Sequence, residues 1–142
     1  MLLREMTIND SSDVSVLSKE LGYDVTVEEI EQRFEKVRGK PNYRIIVAEL
    51  DTKIVGFISY EHYEPIYFDA GINVIGLVVK EQYRNNGIGK ELLMECESYA
   101  RNNNLKYVRL NSGSQRIEAH KFYRKNGYLN EKDQKRFIKT FE

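Results

Sequence analysis

The sequence predicts an α/β domain with a mixed central β-sheet flanked by about four helices. Three observations carry that expectation. Two apolar runs, Tyr43 to Leu50 and Ile54 to Tyr60, are separated only by Asp51-Thr52-Lys53, so they should form an antiparallel hairpin. A third run, Ile72 to Val79, passes through a glycine-containing turn into a helix-like segment, the pattern of a crossover connection. Strand-like and helix-like segments follow one another as β-α-α-β-β-β-α-β-α-β through 142 residues. No repeat, low-complexity tract or linker interrupts them, so residues 1–142 are expected to form a single domain.

Met1 to Met6 reads as a short first strand. Asp10, Ser11, Ser12 and Asp13 are candidate N-caps for a helix that carries Val14, Leu17 and Leu21 and stops at Gly22. Thr26 and Glu29 stand at capping-box spacing and open a second helix with Ile30, Phe34 and Val37 on one face, ending near Gly39 and Pro41. The hairpin follows. Glu61 to Asp69 is polar and aromatic and reads as a connection before the third long strand. Lys90 to Asn102 is helical, and Lys106 to Leu110 is a strand. Arg116 to Asn126 is a helix stopped by Gly127, and Tyr128 to Asn130 with Lys135 to Phe141 should complete the sheet.

Composition narrows the function. With 41% hydrophobic and 31% charged residues the chain is an ordinary globular mixture. The 22 basic side chains balance 22 acidic ones, which argues against a duplex-binding protein and against nucleic acid as a partner. The locally basic stretch from Lys132 to Lys139 is diluted by Asp133, Glu131 and Glu142 and reads as a solvated strand face. Cys96 is the only cysteine, so no intrachain disulfide forms. Ile88, Leu92 and Ala100 flank Cys96 at a spacing of four, which makes it a packed thiol rather than a nucleophile. Two histidines leave little for a metal site, and none is expected. No apolar run approaches membrane-spanning length and the N-terminus lacks a signal-peptide pattern, so a cytoplasmic location is expected, with no membrane partner.

Chemistry concentrates in Arg84-Asn85-Asn86-Gly87-Ile88-Gly89. A strand, a glycine turn and a helix N-terminus together aim several main-chain N–H groups, and the positive end of the helix dipole, at one point. Gly87 and Gly89 lack a β-carbon that would keep phosphate oxygens away. A P-loop is excluded, because Arg84 stands where its first glycine belongs and Glu91 where it needs Ser or Thr. A dinucleotide fingerprint fails too, since Leu92 occupies its third glycine position.

What remains is R-x-x-G-x-G after a strand, which resembles the acyl-coenzyme-A loop of the GCN5-related N-acetyltransferases. The likeness extends along nearly the whole chain. Its early signs are Leu21-Gly22-Tyr23, Val47-Ala48-Glu49 and Val55-Gly56-Phe57. Leu77-Val78-Val79 with Tyr83-Arg84 forms its centre, and Arg116 to Tyr123 followed by Gly127-Tyr128 closes it. The resemblance implies acetyl-coenzyme A as donor and a small-molecule or peptide amine as acceptor, reacting directly in a ternary complex. The main-chain amides of Arg84, Asn85, Asn86, Gly87, Ile88 and Gly89 would then bind the pyrophosphate, with Lys90 just inside the helix. Leu77, Val78 and Val79 would pair with the pantetheine arm and supply an oxyanion-hole donor. Tyr123 matches the family's tyrosine that protonates the departing thiolate. Arg116 departs from the family, many of whose members carry Asn there to contact the pantetheine region.

The acceptor amine must lose a proton before attack, since a lysine-like ammonium with pKa about 10.4 is almost wholly charged at neutral pH. Glu61, His62, Glu64 and Asp69 are the candidate bases, directly or through water, and the sequence does not choose among them. His120, three residues before Tyr123, reads as a packing or capping histidine. Three carboxylates and three aromatic rings between Glu61 and Asp69 suit a cationic amine. A non-catalytic acyl-coenzyme-A sensor would need neither that segment nor Tyr123. Apolar residues in the last strand could support a homodimer or a core equally well.

Overall fold

A computed structural model describes residues 1–142. Met1–Asn111 form one compact unit and Ser112–Glu142 a second. The first unit holds β1 (Leu2–Glu5), α1 (Ser11–Glu20), α2 (Val27–Val37), β2 (Tyr43–Leu50), β3 (Lys53–Tyr63), β4 (Gly71–Val79), α3 (Ile88–Asn102) and β5 (Val108–Leu110). Its five strands make one sheet in the order β1-β2-β3-β4-β5, antiparallel except for the parallel pair β4–β5. The expected mixed α/β architecture is therefore present.

Both faces of the sheet are covered. Val47, Phe57 and Val78 pack on one face against Val14 and Leu17 of α1 and Phe34 of α2. Thr26 and Glu29 form the capping box that starts α2 there. On the other face lies α3, whose Leu92, Leu93, Cys96 and Ala100 are buried. Gly56 seats that helix: a β-carbon there would stand 3.0 Å from the Val78 carbonyl and 3.4 Å from Leu92. Each fully buried Leu or Ile side chain contributes about 1.5–3 kcal/mol, so these two layers supply most of the stability. At the sheet's far edge, Arg4 holds Asp10 at 2.8 Å and Glu49 at 3.0 Å, tying β1 to the turn before α1 and to β2.

Several boundaries differ from the sequence reading. The hairpin turn is two residues, Asp51 and Thr52, both at positive φ, and Lys53 already belongs to β3. At its other end β3 runs to Tyr63, so Glu61 and His62 lie on a strand rather than in a connection. Helix α3 begins at Ile88, two residues before the expected start. Two bulges went unforeseen. Val55 is the extra residue of β3 opposite β2, and Ile75 the extra residue of β4 opposite β3.

The second unit contains α4 (Ile117–Lys125), which ends at Gly127 with φ 89°. The strands expected at Tyr128 to Asn130 and Lys135 to Phe141 are not formed, and no strand follows α4. Leu129, Phe137, Ile138 and Phe141 are exposed. A strand is defined by a ladder with a neighbour, and this segment has none. Its composition favours extended chain but cannot supply the partner.

Candidate active site

Strand β4 determines what the sheet can bind. Its inner edge pairs with β3 along its length, from Tyr63↔Gly71 to Gly56↔Val79. On its outer edge the ladder with β5 covers only Ile72, Asn73 and Val74. From Ile75 to Val79 no strand of the sheet pairs with that edge, and this stretch includes Leu77, Val78 and Val79. The bulge at Ile75 sits where the two strands part, and bulges bend the strand that carries them.

Beyond Val79 a short 3-10 turn, Glu81–Tyr83, leads into the glycine loop. Asn85 and Gly87 both adopt positive φ, 66° and 82°, which rotates successive amides outward. Gly87 is the N-cap of α3, and no side chain caps the helix. The Glu91 amide donates to the Gly87 carbonyl at 3.0 Å, so the amides of Ile88, Gly89 and Lys90 precede the helix's own hydrogen bonds. Nothing lies within 4 Å of the point where a Gly87 β-carbon would stand. Open space, outward amides and the positive end of a 15-residue helix suit a pyrophosphate.

Arg84 does something other than expected. Its amide donates to the Glu81 carbonyl at 3.2 Å, so the available amides begin at Asn85. Its Nε donates to the Val79 carbonyl at 2.9 Å, and Nη2 lies 3.9 Å from Glu20 at the end of α1. Glu20 in turn accepts from the Glu81 amide. Arg84 thus braces the loop against β4 and α1, while the Asn86 side chain donates to the carbonyls of Tyr83 and Arg84.

The candidate bases separate by face. Glu61 and His62 are adjacent on β3 and therefore point to opposite sides. Glu61 shares a face with Ser59, Gly76 and Val78, and accepts a hydrogen bond from Asn73 at 3.1 Å. His62 lies on the α3 face, where Nε2 is 2.8 Å from the Tyr99 hydroxyl and Nδ1 3.6 Å from Glu64. It adjoins a polar cluster in which Arg44 and Tyr60 both bond Glu95 of α3. Glu64 and Asp69 are exposed. Of the aromatic rings in this segment, Tyr63 lies under Arg109, Phe68 packs against Tyr107, and Tyr67 is exposed. Asn73 and Arg109 carry no recognisable motif. Only strand register reveals them.

Cys96 is fully buried, and burial, reinforced by Glu95 and Glu97, pushes its thiol up to about 12, so it is inert at neutral pH. In the second unit, Tyr123 contacts the rings of Phe122 and Tyr128. Burial raises its pKa above the ordinary tyrosine value, opposed by the positive charge of Arg116. Arg116 is the N-cap of α4. The His120 ring nitrogen lies 2.9 Å from the Gly113 carbonyl, so this imidazole fastens the loop before α4.

The acetyltransferase (GNAT) family model matches residues 13–128, a span that runs through both compact units. The chain belongs to that family. It is 30% identical over 107 residues to the uncharacterised N-acetyltransferase YhdJ of Bacillus subtilis, an alignment covering 75% of each protein. Its fold matches glucosamine-6-phosphate N-acetyltransferase from Arabidopsis thaliana with TM-score 0.81 at 25% identity, covering 99% of this chain and 98% of that one. An aminoglycoside 6'-N-acetyltransferase of Acinetobacter haemolyticus superimposes with TM-score 0.85 over the full length of both chains, at 13% identity. Family and fold together make acyl-coenzyme-A-dependent N-acetyl transfer the general reaction class.

Proposed function

We propose that the protein transfers the acetyl group of acetyl-coenzyme A to a primary amine by direct attack in a ternary complex, with residues 1–142 acting as one catalytic domain. The observation that carries this reading is the join of β4 to α3. An unpaired strand edge leads, through a short 3-10 turn and the glycine loop, to a helix N-terminus that no side chain caps, with open space at Gly87. The edge suits the amide-bearing arm of the donor, which can add to it as a strand would, and the loop suits the pyrophosphate. Lys90 adds positive charge beside the loop, and Arg116 is assigned to the donor by motif position alone.

The donor supplies an activated acyl group as a thioester. A main-chain amide among Leu77, Val78 and Val79 stabilises the oxyanion, a contribution of several kcal/mol in comparable sites. Glu61, which shares the sheet face of Gly76 and Val78, takes one proton from the acceptor's ammonium, directly or through one water, so that the neutral amine attacks; the second proton, shed by nitrogen as the C–N bond forms and the C–S bond breaks, passes to water. Tyr123 gives its proton to the leaving sulfur and is reprotonated from solvent.

Binding and turnover test separate halves of the proposal. Acetyl-coenzyme A should raise the melting temperature, since ligand at 100 times its Kd stabilises by about 2.7 kcal/mol, whereas ATP and NAD should leave it unchanged. Thiol release with a panel of primary amines then reads transfer. Clear donor binding with no thiol released from any amine would make the protein an acyl-coenzyme-A sensor instead.

A further inference from the structure

On the sheet face of Gly76 and Val78, one row across three strands is polar. Glu61 of β3 pairs in register with Asn73 of β4, and Asn73 with Arg109 of β5, so the three side chains stand abreast. Asn73 Nδ2 donates to Glu61 Oε2 at 3.1 Å, and Arg109 Nη1 donates to Asn73 Oδ1 at 2.7 Å. These two bonds fix which way the amide points, because a carboxylate can only accept and a guanidinium only donate. Arg109 Nη2 also donates to Asn111 Oδ1 at 3.1 Å, and its guanidinium carbon lies 4.8 Å from the centre of the Tyr63 ring.

Arg109 is thus held by two amide oxygens and an aromatic face. None of these carries a charge. The chain treats its other half-buried arginines differently: Arg4 is paired with Asp10 and Glu49, and Arg44 with Glu95. A guanidinium has five N–H donors, and Arg109 uses two of them in these bonds. Stacked from below and pinned from two sides, it is preorganised for an anion, which the planar fork binds through paired hydrogen bonds. At the other end of the row, Glu61 offers the opposite charge, and Asn73 keeps the two apart instead of letting them neutralise each other. The row lies three residues from Gly76, about 10 Å along the strand at roughly 3.3 Å per residue.

We infer that Arg109 binds an acidic group of the acceptor while Glu61 receives its ammonium, so that the acceptor is an amine that also bears a carboxylate or phosphate. This inference rests on the transferase reading above. It narrows the cationic acceptor expected from the acidic and aromatic segment. Tyr63, one of the rings counted toward cation binding, already carries the protein's own guanidinium.

The test uses the whole protein saturated with acetyl-coenzyme A and a matched set of amines: 4-aminobutyrate, phosphoethanolamine, n-butylamine and putrescine. In the wild type, KM should be lower for the acid-bearing amines, and the first two compounds separate carboxylate from phosphate. Arg109→Gln should raise KM for the preferred acid-bearing amine by roughly tenfold to hundredfold, the loss expected for a charged hydrogen bond. KM for n-butylamine, kcat and donor affinity should stay put. Arg109→Lys, which keeps the charge without the fork, should fall between and guards against a folding defect in the first variant. An equal rise in KM for n-butylamine would make Arg109 a strand brace, and a wild-type preference for putrescine would overturn the inference outright. If no amine releases thiol, calorimetric binding of the same four compounds to the coenzyme-A-saturated protein decides. Acid-bearing amines bound by the wild type and lost in Arg109→Gln sustain Arg109 as the anion site while ending the transferase reading. No such difference removes the anion site as well.

Discussion

Tyr123 keeps its proton because burial makes the phenolate costly, and the nearby Arg116 charge only partly offsets that. The sign matters for the pH profile. A pKa raised above 10 leaves the acid form intact through neutral and mildly alkaline solution, so no falling limb of kcat should come from this group below about pH 10. Tyr123→Phe should lower kcat by roughly 10²–10⁴-fold while changing coenzyme-A affinity little, and steady-state kinetics beside a binding titration would check both. Wild-type turnover in that variant would remove Tyr123 from the acid role. At this scale the sequence was a fair guide wherever spacing decides burial, as at Cys96. It does not separate Glu61 from His62, because neighbours on a strand face opposite sides and the sequence pattern puts both in a connection. Arg109 was invisible for a related reason: its significance lies in what it pairs with across two other strands, and no local pattern encodes that.

Among the elements, the glycine turn is the clearest case of sequence dictating structure. Gly87 takes φ 82°, a conformation in which a side chain costs about 1–2 kcal/mol, and the helix begins at the next residue. Gly87→Glu would add that strain and set a carboxylate in the space open to the pyrophosphate. Calorimetry should then find coenzyme-A binding abolished, with Gly87→Ala retaining more affinity; undiminished binding to Gly87→Glu would move the donor site elsewhere. The bulge at Ile75 escaped notice because an uninterrupted apolar run carries no mark of an extra residue. The strands expected after Gly127 failed for the converse reason. Alternating polar and apolar residues give a segment the means to pair, but pairing also needs a free neighbour in reach.

At the scale of the molecule, hairpin spacing and the crossover helix are enough to give the β2–β3 pairing and the mixed sheet, while the full strand order comes from the structure. What they could not give is the early departure of β5 from β4 after Val74, which leaves Ile75 to Val79 without a strand on their outer edge, where the Arg84 side chain takes the Val79 carbonyl. Backbone donors and acceptors without a strand partner invite another extended chain, and proteins ordinarily blunt such edges with charge, proline or a covering element. Ile75 to Val79 has neither charge nor proline. The donor's arm would therefore act as a chaperone as well as a reactant, pairing by ligation an edge that no strand of the sheet occupies. Light scattering during mild heating should show the ligand-free protein aggregating sooner than protein given coenzyme A, by more than the shift in melting temperature alone accounts for. Equal scattering at matched unfolded fraction would mean that the edge is harmless.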